Sequence, residues 1–161
     1  MYNVGKERVL VLINNVSSVQ RLVDTAKLVY GLGYSTLIAT RIYGAAAQSG
    51  IPEVMKLAYK QGKNFLVMAS ISEIPEIFPE HTLYAVSPRA SLTLVDLTSR
   101  IQGGERVIIA VNGIEQDFTS EELRNAKTVW IKGLSQRIGP IPELSIILYS
   151  LHMLMSDEKN K

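Results

Sequence analysis

Few side chains in this chain can do chemistry, and most of those that can are arginines. The 161 residues include no cysteine and only two histidines, His81 and His152. Cysteine nucleophiles, thiolate metal sites and disulfides are excluded, as is a histidine-rich metal centre, so no metal is expected. Arg21 stands six residues after Asn15, at the entry to a helical pattern, while Arg41, Arg89 and Arg137 fall in segments that read as loops. A guanidinium stays charged at any relevant pH and cannot readily act as a base. It can steer a phosphate and stabilise negative charge developing on an oxygen, which is catalysis of the electrostatic kind. For each of these arginines the ordinary alternative is a solvated side chain. Glu115 and Asp117 could anchor a ligand or a neighbouring loop, and equally could be plain surface-turn residues.

The elements that must position these groups are legible from periodicity. Two short β-branched runs, residues 107–111 and 128–131, each end near a glycine, Gly113 and Gly133. Buried parallel strands that end in loops have this signature. Thr119 or Ser120, followed by Glu121 and Glu122, predicts a capped helix between them. Pro140 and Pro142 open a long apolar helix over residues 144–155, since proline suits a first helical turn. Two strand-end loops and one helix N-terminus can then converge where open α/β sheets place their ligands.

Upstream, residues 9–13, 35–40, 65–69 and 83–86 read as strands. Residues 14–18 turn the chain into a helix capped by Ser17 or Ser18. A second helix starts at Pro52 and stops at Gly62. Residues 41–50 read as a small-residue loop, 72–78 as a short helix broken by prolines, and 92–97 as either a short strand or a helical turn. Alternating strands and helices imply a mostly parallel α/β sheet covered on both faces, in a single domain spanning residues 1–161 with a frayed tail from 156. No apolar run reaches the roughly 18–20 residues of a membrane span. The N-terminus lacks a signal-peptide pattern, so a cytoplasmic protein is expected. The net charge of +2 permits an anionic partner without demanding one.

Three segments, Asn15–Arg21, residues 107–123 and residues 129–149, resemble in their order and spacing the SpoU/TrmH branch of the SPOUT superfamily, the RNA ribose 2′-O-methyltransferases. Asn15-Val16-Ser17-Ser18-Val19-Gln20-Arg21 is similar to that family's first motif. Residues 107–115 with 119–123 are similar to its second, and residues 129–133 with 141–149 to its last strand, cofactor loop and terminal helix. The stretch 85–97 also resembles the connector into the second motif. The resemblance implies a Rossmann-like sheet with a C-terminal trefoil knot, a homodimer, and S-adenosylmethionine (AdoMet) held by the knot loops. It gives Arg21 the catalytic role, beside Asn15.

For the cofactor, the resemblance points to Ala110, Asn112, Gly113 and Glu115 on the first loop and to Ile131, Gly133, Leu134, Ile138, Gly139 and Ile141 on the second. The glycines would let backbone approach an adenine edge, and the aliphatic side chains would line a slot for the ring. Arg41, Arg89 and Arg137 would contact the backbone of a tRNA or rRNA substrate. One departure is plain: where the family has Ser-Leu-Asn before the terminal helix, this chain has Arg137-Ile138-Gly139-Pro140. That departure favours a second reading, a SPOUT-fold module that binds RNA, a nucleotide or a protein partner without methyl transfer. An unknotted flavodoxin-like regulator or small-molecule enzyme is a third. Because the terminal helix is apolar nearly all round, it must be buried in the core, against a second subunit, or both. His152, on that helix, is expected to be a satisfied core or interface histidine.

Overall fold

The β-branched runs all become strands, and all six strands pair in parallel. The computed structural model describes residues 4–157. After a short helix α1 (Val4–Glu7) come β1 (Val9–Val16), α2 (Val19–Gly31), β2 (Thr36–Ile42), α3 (Ile51–Gln61) and β3 (Asn64–Met68). The second half holds α4 (Ile74–Ile77), β4 (His81–Val86), α5 (Leu94–Gln102), β5 (Arg106–Asn112), β6 (Lys127–Val129) and α6 (Pro140–Asp157). The strand order is β3-β2-β1-β5-β4-β6.

Alternation along each central strand splits the core between two faces, as the period of two requires. Val11, Ile13, Val107 and Ile109 face α2, α5 and α6; Leu12, Ile108 and Ala110 face Ile71, Ile74 and Phe118. Both faces are therefore covered, the usual condition for a parallel sheet. The Tyr34 hydroxyl donates to the Leu148 carbonyl at 3.0 Å, tying α6 to the chain entering β2. No helix among the described residues is long and apolar enough to cross a membrane.

Several expectations need correction. The ambiguous run at 92–97 is the start of α5. Thr93 and Asp96 form a reciprocal capping box there, which decides for helix. The helix expected after Thr119 is only a turn. Its box does form, with Glu122 N–H donating to Thr119 Oγ1 at 3.2 Å and Thr119 N–H to Glu122 Oε1 at 2.9 Å. The chain must nevertheless enter β6 by Lys127, and so few residues cannot repay helix nucleation. β6 itself is three residues long and ends before Trp130. Residues 46–50, read as part of a loop, form a π-helical turn (Ala46–Gly50) feeding α3. The expected tail is helical through Asp157, and the remainder lies outside the described residues.

Helix α6 is covered on one side only. Leu144, Ile147, Leu148, Leu151 and Met155 are buried, whereas Ile146, Tyr149, Met153 and Leu154 are exposed. On the same helix His152 stacks at a tilt against Tyr149, and its Nδ1 is buried without a hydrogen-bond partner. Within this chain it is thus not the satisfied histidine that was expected.

Candidate functional site

The connections leaving β1 and β5 run in opposite directions across the sheet, β1 toward β2 and β5 toward β6. A crevice at such a switch point, outside the carboxyl ends of the strands, is the default ligand position of an open α/β sheet. Asn14 and Asn112 stand there in register. Asn14 Nδ2 donates to Asn112 Oδ1 at 3.2 Å and also to Glu122 Oε2, while its Oδ1 accepts from Thr40 Oγ1 at 2.8 Å. Asn112 Nδ2 donates to the Gln116 carbonyl at 2.8 Å, folding back the loop after β5. Both asparagines are 1% exposed, so this network is a rigid floor rather than a reactive surface.

Beyond the floor the backbone is unusual. Asn15 (φ 64°) and Arg41 (φ 49°) both adopt the left-handed region, facing each other between the register pairs Asn14–Thr40 and Val16–Ile42. Asparagine tolerates this conformation and arginine tolerates it poorly. β1 therefore continues through Val16 instead of turning at Asn14 as expected. Asn15 is only 8% exposed. Ser18 caps α2 by accepting from Arg21 N–H at 3.1 Å, which sets Arg21 in the first turn. Arg21 Nη1 then donates to the Gly113 carbonyl at 2.7 Å. Asn15, Arg21, Asn112 and Gly113, singled out from the sequence, thus meet in one place.

Gly113 is required by close approach rather than by its φ. A Cβ on it would stand 2.6 Å from the Asn15 carbonyl oxygen and 3.0 Å from that of Asn14. Both are backbone atoms with little room to give. Gly113→Ala is expected to lower stability by about 1–3 kcal/mol through overpacking. In thermal unfolding that is about 2–4 °C for each kcal/mol in a chain of this size. An unchanged melting temperature would show that the β1 and β5 ends are not held this tightly.

The second loop, between β6 and α6, closes the crevice from the other side. Trp130 Nε1 donates to the Leu134 carbonyl at 2.7 Å, and Leu134 N–H to the Ile131 carbonyl at 3.2 Å, forming a tight turn. Gly133 and Gly139 have φ of 96° and 104°. No heavy atom lies within 4 Å of where a Gly133 Cβ would be. Ile131 is buried, Leu134 half-buried and Ile138 exposed at 41%. The backbone at Gly133 is thus open, with the buried Ile131 and the half-buried Leu134 on either side of it in the chain. Ala110 does not join them: its side chain points to the opposite face, among Leu83, Ile108 and Phe118. Glu115 is exposed, on the rim of the first loop.

The three loop arginines part company. Arg41 is exposed. Arg89 is half-exposed but already engaged: its Nε bonds Asp117 Oδ2 at 3.0 Å, and its Nη2 donates to the Phe118 carbonyl at 2.7 Å. Arg137 overturns the expectation of a free loop arginine. Its side chain is 8% exposed, and its Nε lies 2.9 and 3.0 Å from the two oxygens of Glu143, whose side chain is wholly buried. Burial plus a charged partner fixes the guanidinium inside the loop pair, away from an RNA backbone. Asn14, Thr40, Glu122 and Glu143 were not anticipated as site residues. The Thr119–Glu122 box spacing was the one available signal among them.

Two of the groups with displaced titrations, Tyr84 and His81, lie on β4. Burial pushes the Tyr84 hydroxyl up to about 12, helped by its hydrogen bond to Glu105, and burial lowers His81.

Residues 44–150 match the family described as RecB-family nuclease (DUF2122). The "Putative type II restriction enzyme ApeKORF2002P" of Aeropyrum pernix is 42% identical over 145 residues, 89% of this chain and 92% of the relative. Its Methanocaldococcus jannaschii counterpart MjaORF1200P, given the same description, is 26% identical over 89% of this chain and 96% of its own. Solved structures give a different neighbourhood. The TrmH/SpoU tRNA modifying enzyme of A. aeolicus superposes with a TM-score of 0.71 at 14% identity, over 98% of this chain and 82% of that one. The SpoU methyltransferase AviRb of Streptomyces viridochromogenes gives 0.71 at 12%, over 93% of this chain and 60% of its own. The fold is thus of the SpoU/TrmH type; at these identities the likeness speaks for the fold alone. Among the described residues no group of three or more His, Cys, Asp or Glu side chains could hold a metal ion.

Proposed function

The chain belongs to the DUF2122 family, and we propose that it is an AdoMet-dependent RNA 2′-O-methyltransferase of the cytoplasm rather than a metal-dependent nuclease. The observation that carries the reading is the seating of Arg21. Its guanidinium is anchored 2.7 Å from the Gly113 carbonyl, at the carboxyl ends of β1 and β5, next to left-handed Asn15. Hydrolysis on metal ions draws on clustered carboxylates, and the described residues offer no such group.

Residues Gly113, Ile131, Gly133, Leu134, Ile138, Gly139 and Ile141 would hold the AdoMet nucleoside by backbone approach and an apolar edge. When bound, the sulfonium supplies an electrophilic methyl group. The work left to the protein is to place a ribose hydroxyl in line and to stabilise the negative charge that grows on its oxygen. Arg21 is suited to both, holding the adjacent phosphate and facing the developing alkoxide, while the hydroxyl proton passes to solvent water as the methyl leaves the sulfur for the oxygen. Arg41, exposed beside Asn15, and Arg89 would extend the contact along the RNA backbone.

Two wider features support the same reading. β6 lies between β4 and Leu92: Ser87 N–H donates to the Val129 carbonyl at 3.1 Å on one side, and Trp130 N–H to the Leu92 carbonyl at 3.2 Å on the other. The connector from β4 to α5 thus passes along the far edge of β6, which supports reading the chain that enters α6 as threaded through that connector in a trefoil knot. The exposed apolar stripe Ile146, Tyr149 and Met153 fits burial against a second copy.

The test is calorimetric titration with AdoMet and with its demethylated product, S-adenosylhomocysteine, alongside an assay for nucleic-acid cleavage with magnesium. Micromolar binding of both, without cleavage, is expected. Absence of binding to the folded protein, or magnesium-dependent cleavage lost on changing a carboxylate, would overturn the methyltransferase reading.

A further inference from the structure

Arg137 and Glu143 make a closed structure out of two loops that otherwise share no strand. Nε of Arg137 lies between both Glu143 oxygens, Nη2 reaches the Asn112 carbonyl at 3.2 Å, and Nη1 reaches the Gln116 carbonyl. Glu143 Oε2 in turn accepts from Ile138 N–H at 2.8 Å and Gly139 N–H at 3.1 Å. One buried ion pair therefore joins the end of β5, the loop after it, the β6–α6 loop and the first turn of α6.

The same arrangement changes what α6 can bind. A helix N-terminus attracts phosphate through its unpaired N–H groups. Here Pro140 and Pro142 have no N–H, the Ile138 and Gly139 donors are taken by Glu143, and Glu143 N–H bonds the Gly139 carbonyl at 3.1 Å, which leaves Ile141 N–H as the donor of the first turn still open, too few to cradle a phosphate. The end of the helix is thus filled by the chain's own carboxylate, itself neutralised by Arg137.

We infer that the Arg137–Glu143 pair is a clasp that preorganises the ligand pocket between these loops, making Arg137 a positioning residue, and that the pocket takes a nucleoside lacking phosphate. The identity of the ligand rests on the methyltransferase reading; the clasp itself does not. A pair held by two backbone carbonyls and two backbone N–H groups fixes both loop conformations before anything binds. Fixing them in advance spares the ligand the cost of ordering them.

The experiment compares the full chain with Arg137→Gln/Glu143→Gln, a pair that puts a neutral amide in place of each charged group and leaves no lone buried charge. S-adenosylhomocysteine and ATP are titrated calorimetrically, and backbone hydrogen exchange is followed over residues 113–118 and 131–139. The expected result is that S-adenosylhomocysteine binds at least about tenfold more weakly to the double variant, equivalent to about 1.4 kcal/mol, while ATP binds neither protein. A smaller loss in a folded variant, or tighter binding of ATP than of S-adenosylhomocysteine to the natural chain, would overturn the proposal. If the natural chain binds no S-adenosylhomocysteine, the methyl-donor reading fails separately and exchange decides the clasp. Loop amides exchanging about tenfold faster in the variant, with the sheet unaffected, would uphold it, and equal exchange would overturn it.

Discussion

Replacing Arg137 by methionine is expected to be among the most destabilising single changes available in this chain, costing about 3–5 kcal/mol. Glu143 is wholly buried, and Arg137 is the one cation paired with it among the described residues. Without the guanidinium its carboxylate keeps the Ile138 and Gly139 N–H groups, which hydrogen-bond the charge without neutralising it. An uncompensated buried charge carries a penalty of this size, whereas replacing both partners by apolar residues is often neutral. Arg137→Met/Glu143→Leu should therefore recover much of what Arg137→Met loses. Thermal unfolding reads this directly, with the single variant melting about 6–20 °C lower. A single variant as stable as the natural chain would mean that the carboxylate finds water or a proton in place of the guanidinium.

This ion pair also marks where the sequence stops being readable. The strands near 9, 36, 65, 83 and 107 follow from β-branched runs, and their parallel pairing follows from the helices between them. Arg21 and Asn15 were legible because their spacing matches a motif, and Ser18 carries the cap that sets Arg21 in place. Arg137 looked like any arginine in a polar loop. Only the return of the chain from β6 toward the end of β5 brings it against Asn112, 25 residues away in sequence, and no local pattern encodes that contact. Glu143 looked like an ordinary acidic first-turn residue, favourable at a helix N-terminus but unremarkable. The failed helix after Thr119 has the opposite cause: its capping signal was real, and the distance to β6 left it no room. Ala110 shows how strand period separates neighbours: its side chain packs in the core with Ile108 and Phe118, while Val111, one step on, faces the other side of the sheet.

Arg21→Ala is expected to reduce methyl transfer to RNA by about 10²–10³-fold, the loss that follows removal of one preorganised electrostatic donor. The fold should tolerate the change. The Ser18 cap uses the backbone N–H of residue 21, not its side chain, and alanine is the best helix former. The contact given up is Nη1 to the Gly113 carbonyl, and that loop stays held by Asn112 to Gln116 and by Arg137. Affinity for S-adenosylhomocysteine should therefore remain within about twofold, well under the tenfold that 1.4 kcal/mol represents. The split between binding and turnover is what identifies the role: a residue shaping only the pocket would weaken the ligand and the rate together. Arg21→Lys should fall between the two, since an ammonium keeps the charge while losing the planar fork that can hold Gly113 and a phosphate at once. Transfer of label from AdoMet into RNA, followed in a single turnover, measures the chemical step free of product release. Full activity in Arg21→Ala would remove the arginine from the mechanism and leave Asn15, with its left-handed backbone, as the group at this edge of the crevice still to be explained.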